Sequence, residues 1–289
     1  RRQRQMCIRD RYYLETLRGL QCMKKYFTYF KLRCLTNLQY RSAAIAGLLT
    51  QFFFGMVFIE VYIAFYSSGD GSVPISLCNL VNYMWLQQAF FSLVYPSEKD
   101  PKLFEMIKNG NLAYELVRPD NFYFKWYVKI YSKKIIAVLL RFAPVLLVAF
   151  ILPEPYRLSL PPSIEYLGIF ILAIFVSSIL VCAIVMLLFI ITMYTLDFRG
   201  SLSIFGVIIE LFMGGTVPLV FFPDWLLKVA NVLPFRFLGD FPFRVYSGTF
   251  SVSNSFVMLG KGFGWCVIVI AIGYYLCNRA LKKAVIQGG

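Results

Sequence analysis

Six apolar runs alternate with polar connections along the chain, near residues 43–66, 73–95, 133–152, 164–192, 201–222 and 256–278. Each is about long enough to cross ~30 Å of hydrocarbon as a helix rising ~1.5 Å per residue. The pattern predicts an all-α polytopic membrane protein with six transmembrane helices. The second run is the weakest, because Asn79, Asn82, Gln87 and Gln88 interrupt it. Amides within a span turn toward a bundle interior or a partner subunit rather than lipid. No internal repeat relates the two halves, and six spans are few for an inverted-repeat transporter. A full pathway across the membrane then requires a second copy of the chain or a homologous partner.

The basic residues orient the spans. Of 29 Lys and Arg, 23 lie in residues 1–42, 96–134, 193–201 and 279–289. The alternate connections near 67–72, 153–163 and 223–255 carry none, one and three. Basic connections stay cytoplasmic, so the pattern predicts that both termini are inside.

Three stretches between the spans have a pattern of their own. From Lys24 to Arg41, Phe27, Phe30, Cys34, Leu35 and Leu38 share one helical face and Lys24, Lys25, Thr28, Lys31 and Asn37 lie largely opposite. A basic amphipathic helix before the first span lies in the cytoplasmic headgroup layer. In the second cytoplasmic connection Asp100 is a good N-cap, Pro101 suits the first helical position and Asn109-Gly110 supplies a stop. So short a helix is marginal alone in water. Its defined ends and its apolar Leu103, Phe104, Met106 and Ile107 predict a docking element. After the fifth run, Gly214, Gly215, Pro218, Pro223, Pro234 and Pro242 punctuate a stretch that stays aromatic and apolar. Its pieces are too short to span and too apolar for a free loop, which predicts one or two short helices dipping into the outer leaflet. Asp224 with Trp225, Leu226, Val229 and Val232 fits the first of them.

Composition narrows the function. A hydrophobic content of 59% exceeds the ~45–50% of soluble domains, and the longest polar stretch, roughly 96–132, is too short to bury a core. The net charge of +14 sits at the membrane flanks, so no nucleic-acid partner is expected; membrane lipid is. The seven cysteines are scattered without paired spacing, and there is no histidine. That removes histidine acid–base chemistry, histidine-ligated metals and Ser–His or Cys–His nucleophiles. Gly260-Lys261-Gly262 lacks the upstream glycine and the following hydroxyl of a phosphate-binding loop, so no ATP site of the chain's own is expected. Catalytic, cofactor and metal residues are therefore expected to be none. Residues 1–11, RRQRQMCIRDR, resemble translated sequencing-adaptor sequence. Residues 1–22 are expected to be a non-native extension before Met23, leaving 23–289 as a single transmembrane domain.

Charged groups inside spans are costly and call for partners. Arg141 and Glu210 each lie about eight or nine residues into an outward-running span, so ~12–14 Å from the cytoplasmic edge. Equal depth and opposite sign predict an Arg141–Glu210 pair, acting as a structural tie or in the substrate path. Gly206 and Gly214 flank Glu210 one turn away on either side, a small face that another helix can approach. Glu60 is shallower and reaches the external side.

Three segments carry a resemblance: MKKYFTYFKLRCLTNLQYRSAAIAGLL before span 1, IKNGNLAYELVRPDNFYF after the short cytoplasmic helix, and GGTVPLVFFPDWLLKVANVLPF after span 5. With the topology, they resemble the ABC-2 type exporter permeases, in the bacterial branch of six-span subunits encoded apart from their ATPase. The resemblance runs from Met23 to the end. It implies two permease subunits forming a pathway in the bacterial cytoplasmic membrane, as a homodimer or heterodimer, with two ATPase subunits bound on the cytoplasmic face. ATP is then bound by the partner. The helix around 100–109 becomes a coupling helix, with Leu103, Phe104, Glu105, Met106, Ile107 and Lys108 as candidate ATPase contacts and 111–119 positioning it. The stretch with Gly214, Gly215, Pro218, Pro223 and Trp225 becomes an external gate. The expected function is ATP-driven export of an unidentified substrate. The alternatives are an ion-coupled secondary transporter, which normally shows more titratable midplane groups than Glu210, and a membrane-embedded enzyme, for which no nucleophile or carboxylate cluster is present.

Overall fold

In a computed structural model of the chain, the structure describes residues 24–39, 41–68, 73–96, 105, 120–195 and 198–284. All regular structure among them is helical. Helix α1 covers residues 24–37, α2 is Arg41–Ser68 and α3 is Leu77–Val94. Two further helices, α4 (Phe122–Leu139) and α5 (Phe142–Ile151), together make one apolar rod. The long α6 (Ile164–Thr195) precedes α7 (Phe198–Phe212). Short α8 (Asp224–Val232) and α9 (Asp240–Tyr246) then lead into α10 (Val252–Ala284).

Among the described residues, four helical segments are long and apolar enough to cross a membrane: Ile45–Ser68, Phe122–Ile151, Ile164–Thr195 and Val252–Lys282. The second and fifth apolar runs are helices of 18 and 15 residues. The amides of α3 dilute its apolar character, yet twelve of its eighteen residues are buried, so protein rather than lipid surrounds it. α6 is the central helix: α10 packs along it most extensively, and α3, α4, α7 and α9 also contact it. Its mid-section, from Leu180 to Met186, is buried without interruption.

Sequence reading placed the start of the third span near residue 133 and left 120–132 in a polar connection. The helix instead begins at Phe122, with the Asn121 side chain accepting a hydrogen bond from the Phe124 N–H at 3.2 Å. Phe122, Tyr123, Trp126 and Ile130 form a buried face; beside it Lys125 and Lys129 are half-buried and Lys133 is exposed, and Lys129 lies 4.0 Å over the Trp126 ring. α6 and α10, at 32 and 33 residues, are about 48–50 Å long, well beyond ~30 Å of hydrocarbon. The α4 extension packs along their length: Tyr127 Oη donates to the Ile179 carbonyl, midway along α6, at 2.7 Å, and Tyr123 meets Tyr274 of α10 at a ring centroid distance of 6.0 Å.

α1 docks on this extension. Lys25 forms an ion pair with Asp120, and Tyr26 and Phe30 meet Phe124 and Tyr131 at ring centroid distances of 6.5 and 6.1 Å. The protein-facing side of α1 is thus Tyr26, Tyr29, Phe30 and Arg33, while Phe27 and Leu35 of the expected apolar face remain exposed. Exposed aromatic and aliphatic groups on a basic helix are what a headgroup layer accepts.

The rod α4–α5 breaks at Leu140–Arg141. Pro144 explains it: the ring has no N–H to give and clashes with the carbonyl four residues earlier, that of Leu140. The chain steps through a tight turn, Arg141 N–H to Val138 C=O at 2.9 Å, and restarts with proline in the first turn of α5.

Candidate functional site

Helix α3 supplies the polar interior, as the placement of its amides predicts. Asn82, Gln87 and Gln88 are buried. Asn82 makes a reciprocal tie to the loop between α5 and α6: its Nδ2 donates to Ser159 Oγ at 2.6 Å and its Oδ1 accepts from the Ser159 N–H at 2.8 Å. Trp85 Nε1 donates to the Tyr156 carbonyl at 2.7 Å in the same loop. Next to Asn82, Tyr83 Oη donates to the Gly214 carbonyl at 3.0 Å, and one turn further Gln87 Nε2 donates to the Gly215 carbonyl. A buried donor aimed at a backbone carbonyl is worth about 0.5–1.5 kcal/mol when made and more when orphaned. α3 therefore holds both the α5–α6 loop and the turn that ends α7.

That turn is built on a left-handed Gly214 at φ 76°. The Gly215 N–H returns to the Glu210 carbonyl at 2.9 Å, and the Asp240 N–H donates to the Met213 carbonyl at 3.0 Å, tying the start of α9 to the end of α7. Pro218 is buried before a 3₁₀ turn, Leu219–Phe221, while Pro223 and Trp225 are exposed at the start of α8. Phe221 stacks on Tyr62 at 5.7 Å and meets Phe65 edge-on at 6.0 Å, so the far end of α2 leans on this stretch. The short-helix expectation after the fifth run holds, with α8 starting at Asp224.

The charged residues singled out within the spans have these contacts. Glu210 accepts a hydrogen bond from Thr216 Oγ1 at 3.0 Å. The Arg141 guanidinium lies against Gly47 of α2, close enough that a methyl group there would meet Arg141 Cζ at 2.6 Å. Gly206 is open: among the described residues nothing lies within 4 Å of a Cβ built there, whereas Gly214 packs on Tyr83. Glu60 is exposed and accepts from Tyr156 Oη at 2.6 Å. Of the candidate coupling residues, Glu105 is helical and exposed; Leu103, Phe104, Met106, Ile107 and Lys108 lie outside the described residues.

Two charged features were missed from sequence. Lys134 is 2% exposed, and its ammonium donates to the carbonyls of Tyr95 at 2.6 Å and Ser92 at 3.4 Å. It caps the C-terminal end of α3, where orphan carbonyls and the helix dipole favour a cation. Lys134→Met keeps the apolar stem and removes the donor. It is expected to cost about 1–3 kcal/mol, read as a lower melting temperature of the purified protein, with the exposed Lys228→Met as the control. The second feature is an ionic triad. Asp240 is fully buried, with Arg236 Nη2 at 3.5 Å and Arg244 Nη1 at 3.6 Å from its Oδ2. Arg236 also donates to Asn231 Oδ1, and Arg244 lies 4.5 Å over the Phe250 ring. Burial pushes the Asp240 carboxyl above its usual range, and the Arg244 and Arg236 guanidiniums pull it back. The sequence signal was present: Arg236, Asp240 and Arg244 recur at four-residue spacing in an otherwise aromatic stretch.

Among the described residues no group of three or more Cys, Asp or Glu side chains is arranged to hold a metal. Long apolar helices around a polar α3, with a punctuated stretch between α7 and α10, define a multi-pass helical membrane protein. A family model described as ABC-2 family transporter protein matches residues 77–288, and the chain belongs to that family. No curated protein matches the chain.

Proposed function

We propose that the chain is the membrane-spanning permease subunit of an ATP-binding cassette exporter, driven by ATP bound and hydrolysed on a separate partner subunit. The observation that carries this is the family match from α3 to the C-terminal end of α10. The chain itself lacks a phosphate-binding loop. In this reading α3 and α7 complete six crossings with both termini cytoplasmic, in a bacterial cytoplasmic membrane. A second permease copy, identical or homologous, completes the pathway.

The coupling helix around 100–109 docks on the ATPase. α1, bound to the α4 extension through Lys25 and Asp120, lies on the same cytoplasmic side and carries part of that load. The turn at Gly214 and Gly215 with Pro218, Pro223 and Trp225 is the external gate. Its attachment to α3 through Tyr83 and Gln87 supplies a rigid link from the coupling helix, which follows α3 in the chain, to the gate. Arg141 and Glu210 act in the bundle or the path; if they act as a pair, the double alanine variant is less damaging than the sum of the single ones.

The test is affinity capture of the tagged protein in mild detergent, with mass spectrometry of what accompanies it. A phosphate-loop ATPase is expected, and it is expected to be lost in Phe104→Asp with Ile107→Asp while the permease remains folded. A folded, transport-active permease with no ATPase overturns the proposal in favour of ion coupling, with Glu210 as the residue to titrate.

A further inference from the structure

The two guanidiniums of the ionic triad are only half used by it. Their distances to Asp240, 3.5 and 3.6 Å, exceed the ~2.7–2.9 Å of a charge-assisted hydrogen bond. The Nε atoms of both Arg236 and Arg244 are buried without a hydrogen-bond partner among the described residues. Arg236 is 94% buried by its 6% exposure. A guanidinium offers more N–H donors than one shared carboxylate and one amide can take.

Both arginines open onto a cavity of about 420 Å³ between α8, the Arg236 turn and the first three turns of α10. Lys261, Asn231 and Asn254 also line it, and no Asp or Glu does. Three cations therefore converge on a space backed by one carboxylate. The volume lies within the ~300–1,000 Å³ range of ligand pockets. The remaining wall is apolar, with Leu227, Val257 and Met258, and Val257 and its neighbour Phe256 are more than half exposed on the outer face of α10. A cationic, asparagine-lined hollow beside an exposed apolar helix face has the chemistry of an amphiphile's polar end. Arginine forks match a phosphate's oxygens bidentately, and lysine adds a point charge.

We propose that this cavity binds a phosphate group, held by Arg236, Arg244 and Lys261, with Asn231 and Asn254 as secondary contacts. Phosphate of a lipid headgroup and free inorganic phosphate share this chemistry, and the apolar wall favours the lipid. The site needs only the membrane location of the chain, so it stands or falls separately from the ATPase partner.

The experiment is native mass spectrometry and thermal melting of the purified full chain, titrated with phosphatidylglycerol, phosphatidylcholine or inorganic phosphate. Phosphatidylglycerol is expected to be retained at one saturable site and to raise the melting temperature, with phosphatidylcholine weaker. Lys261→Gln, an exposed position where the fold is safe, is expected to weaken retention about tenfold, the value of one charge-assisted bond. Arg244→Gln, checked for monodispersity, is expected to do the same. Saturable inorganic phosphate binding that Lys261→Gln weakens, without lipid retention, supports the phosphate site and assigns it to the free anion. Lipid and phosphate binding that are absent, or equal in wild type and Lys261→Gln, overturns the proposal.

Discussion

Replacing Asp240 by asparagine is expected to destabilise the protein by about 3–5 kcal/mol, among the largest effects of any single substitution. The amide keeps the shape of the carboxyl and removes its charge. Two guanidiniums whose side chains are 7% and 14% exposed then face each other with no negative charge between them. Denaturation midpoints of the detergent-purified variant measure the loss; a midpoint within error of wild type would show that the arginines rehydrate through the adjoining cavity. A second variant separates charge from packing. Arg236→Met, Asp240→Leu and Arg244→Met together remove all three charges at similar volume, which is often neutral or stabilising for a buried ionic cluster. A stable triple variant beside an unstable Asp240→Asn would show that the triad is kept for what its cations bind rather than for stability.

Why that triad escaped sequence reading is physical. Hydropathy arguments look for charge within long apolar runs, where a lone ionisable group is conspicuous, and so they found Arg141 and Glu210. Residues 234–246 are punctuated by two prolines and read as part of the short helices at the outer leaflet, where arginine needs no explanation. Only the fold, which wraps α9 against α3 and α6, turns those positions inward. Lys134 escaped for a related reason. It sits among Lys125, Lys129 and Lys133 and looks like a topological charge, whereas its ammonium is spent on the last carbonyls of α3. The amides of α3 were legible, because a polar group inside a span has few places to go. Their partners were not: Ser159 and Gly215 are distant in sequence, and backbone carbonyls leave no mark on composition. The end of the α4 extension was misplaced because its lysines were weighed and its aromatic face was not; Phe122, Tyr123, Trp126 and Ile130 recur on one side of a helix.

The turn at Gly214 carries the other large expectation. Gly214→Ala is expected to cost about 2–4 kcal/mol. A φ of 76° costs a residue with a Cβ about 1–2 kcal/mol. The new methyl group also overlaps the Tyr83 hydroxyl, which must leave the Gly214 carbonyl it now bonds at 3.0 Å, forfeiting about 1 kcal/mol more. The two terms are separable. Tyr83→Phe alone loses the hydrogen bond and is expected to cost about 1 kcal/mol, but it also removes the atom that the methyl group would strike; the ring carbon beneath lies at 3.6 Å, an ordinary contact. The double variant Gly214→Ala, Tyr83→Phe should therefore be less destabilised than the sum of the singles, with a coupling of about 1 kcal/mol. Melting of the four proteins measures the cycle. Additive losses would mean that the turn relaxes away from α3 when Gly214 changes, so that Tyr83 does not hold it. A coupling of the expected sign makes α3 and the α7 turn one mechanical unit. An export assay on the same variants then asks whether that unit moves: if the turn gates the pathway, loosening it through Tyr83→Phe changes transport out of proportion to the small loss of stability.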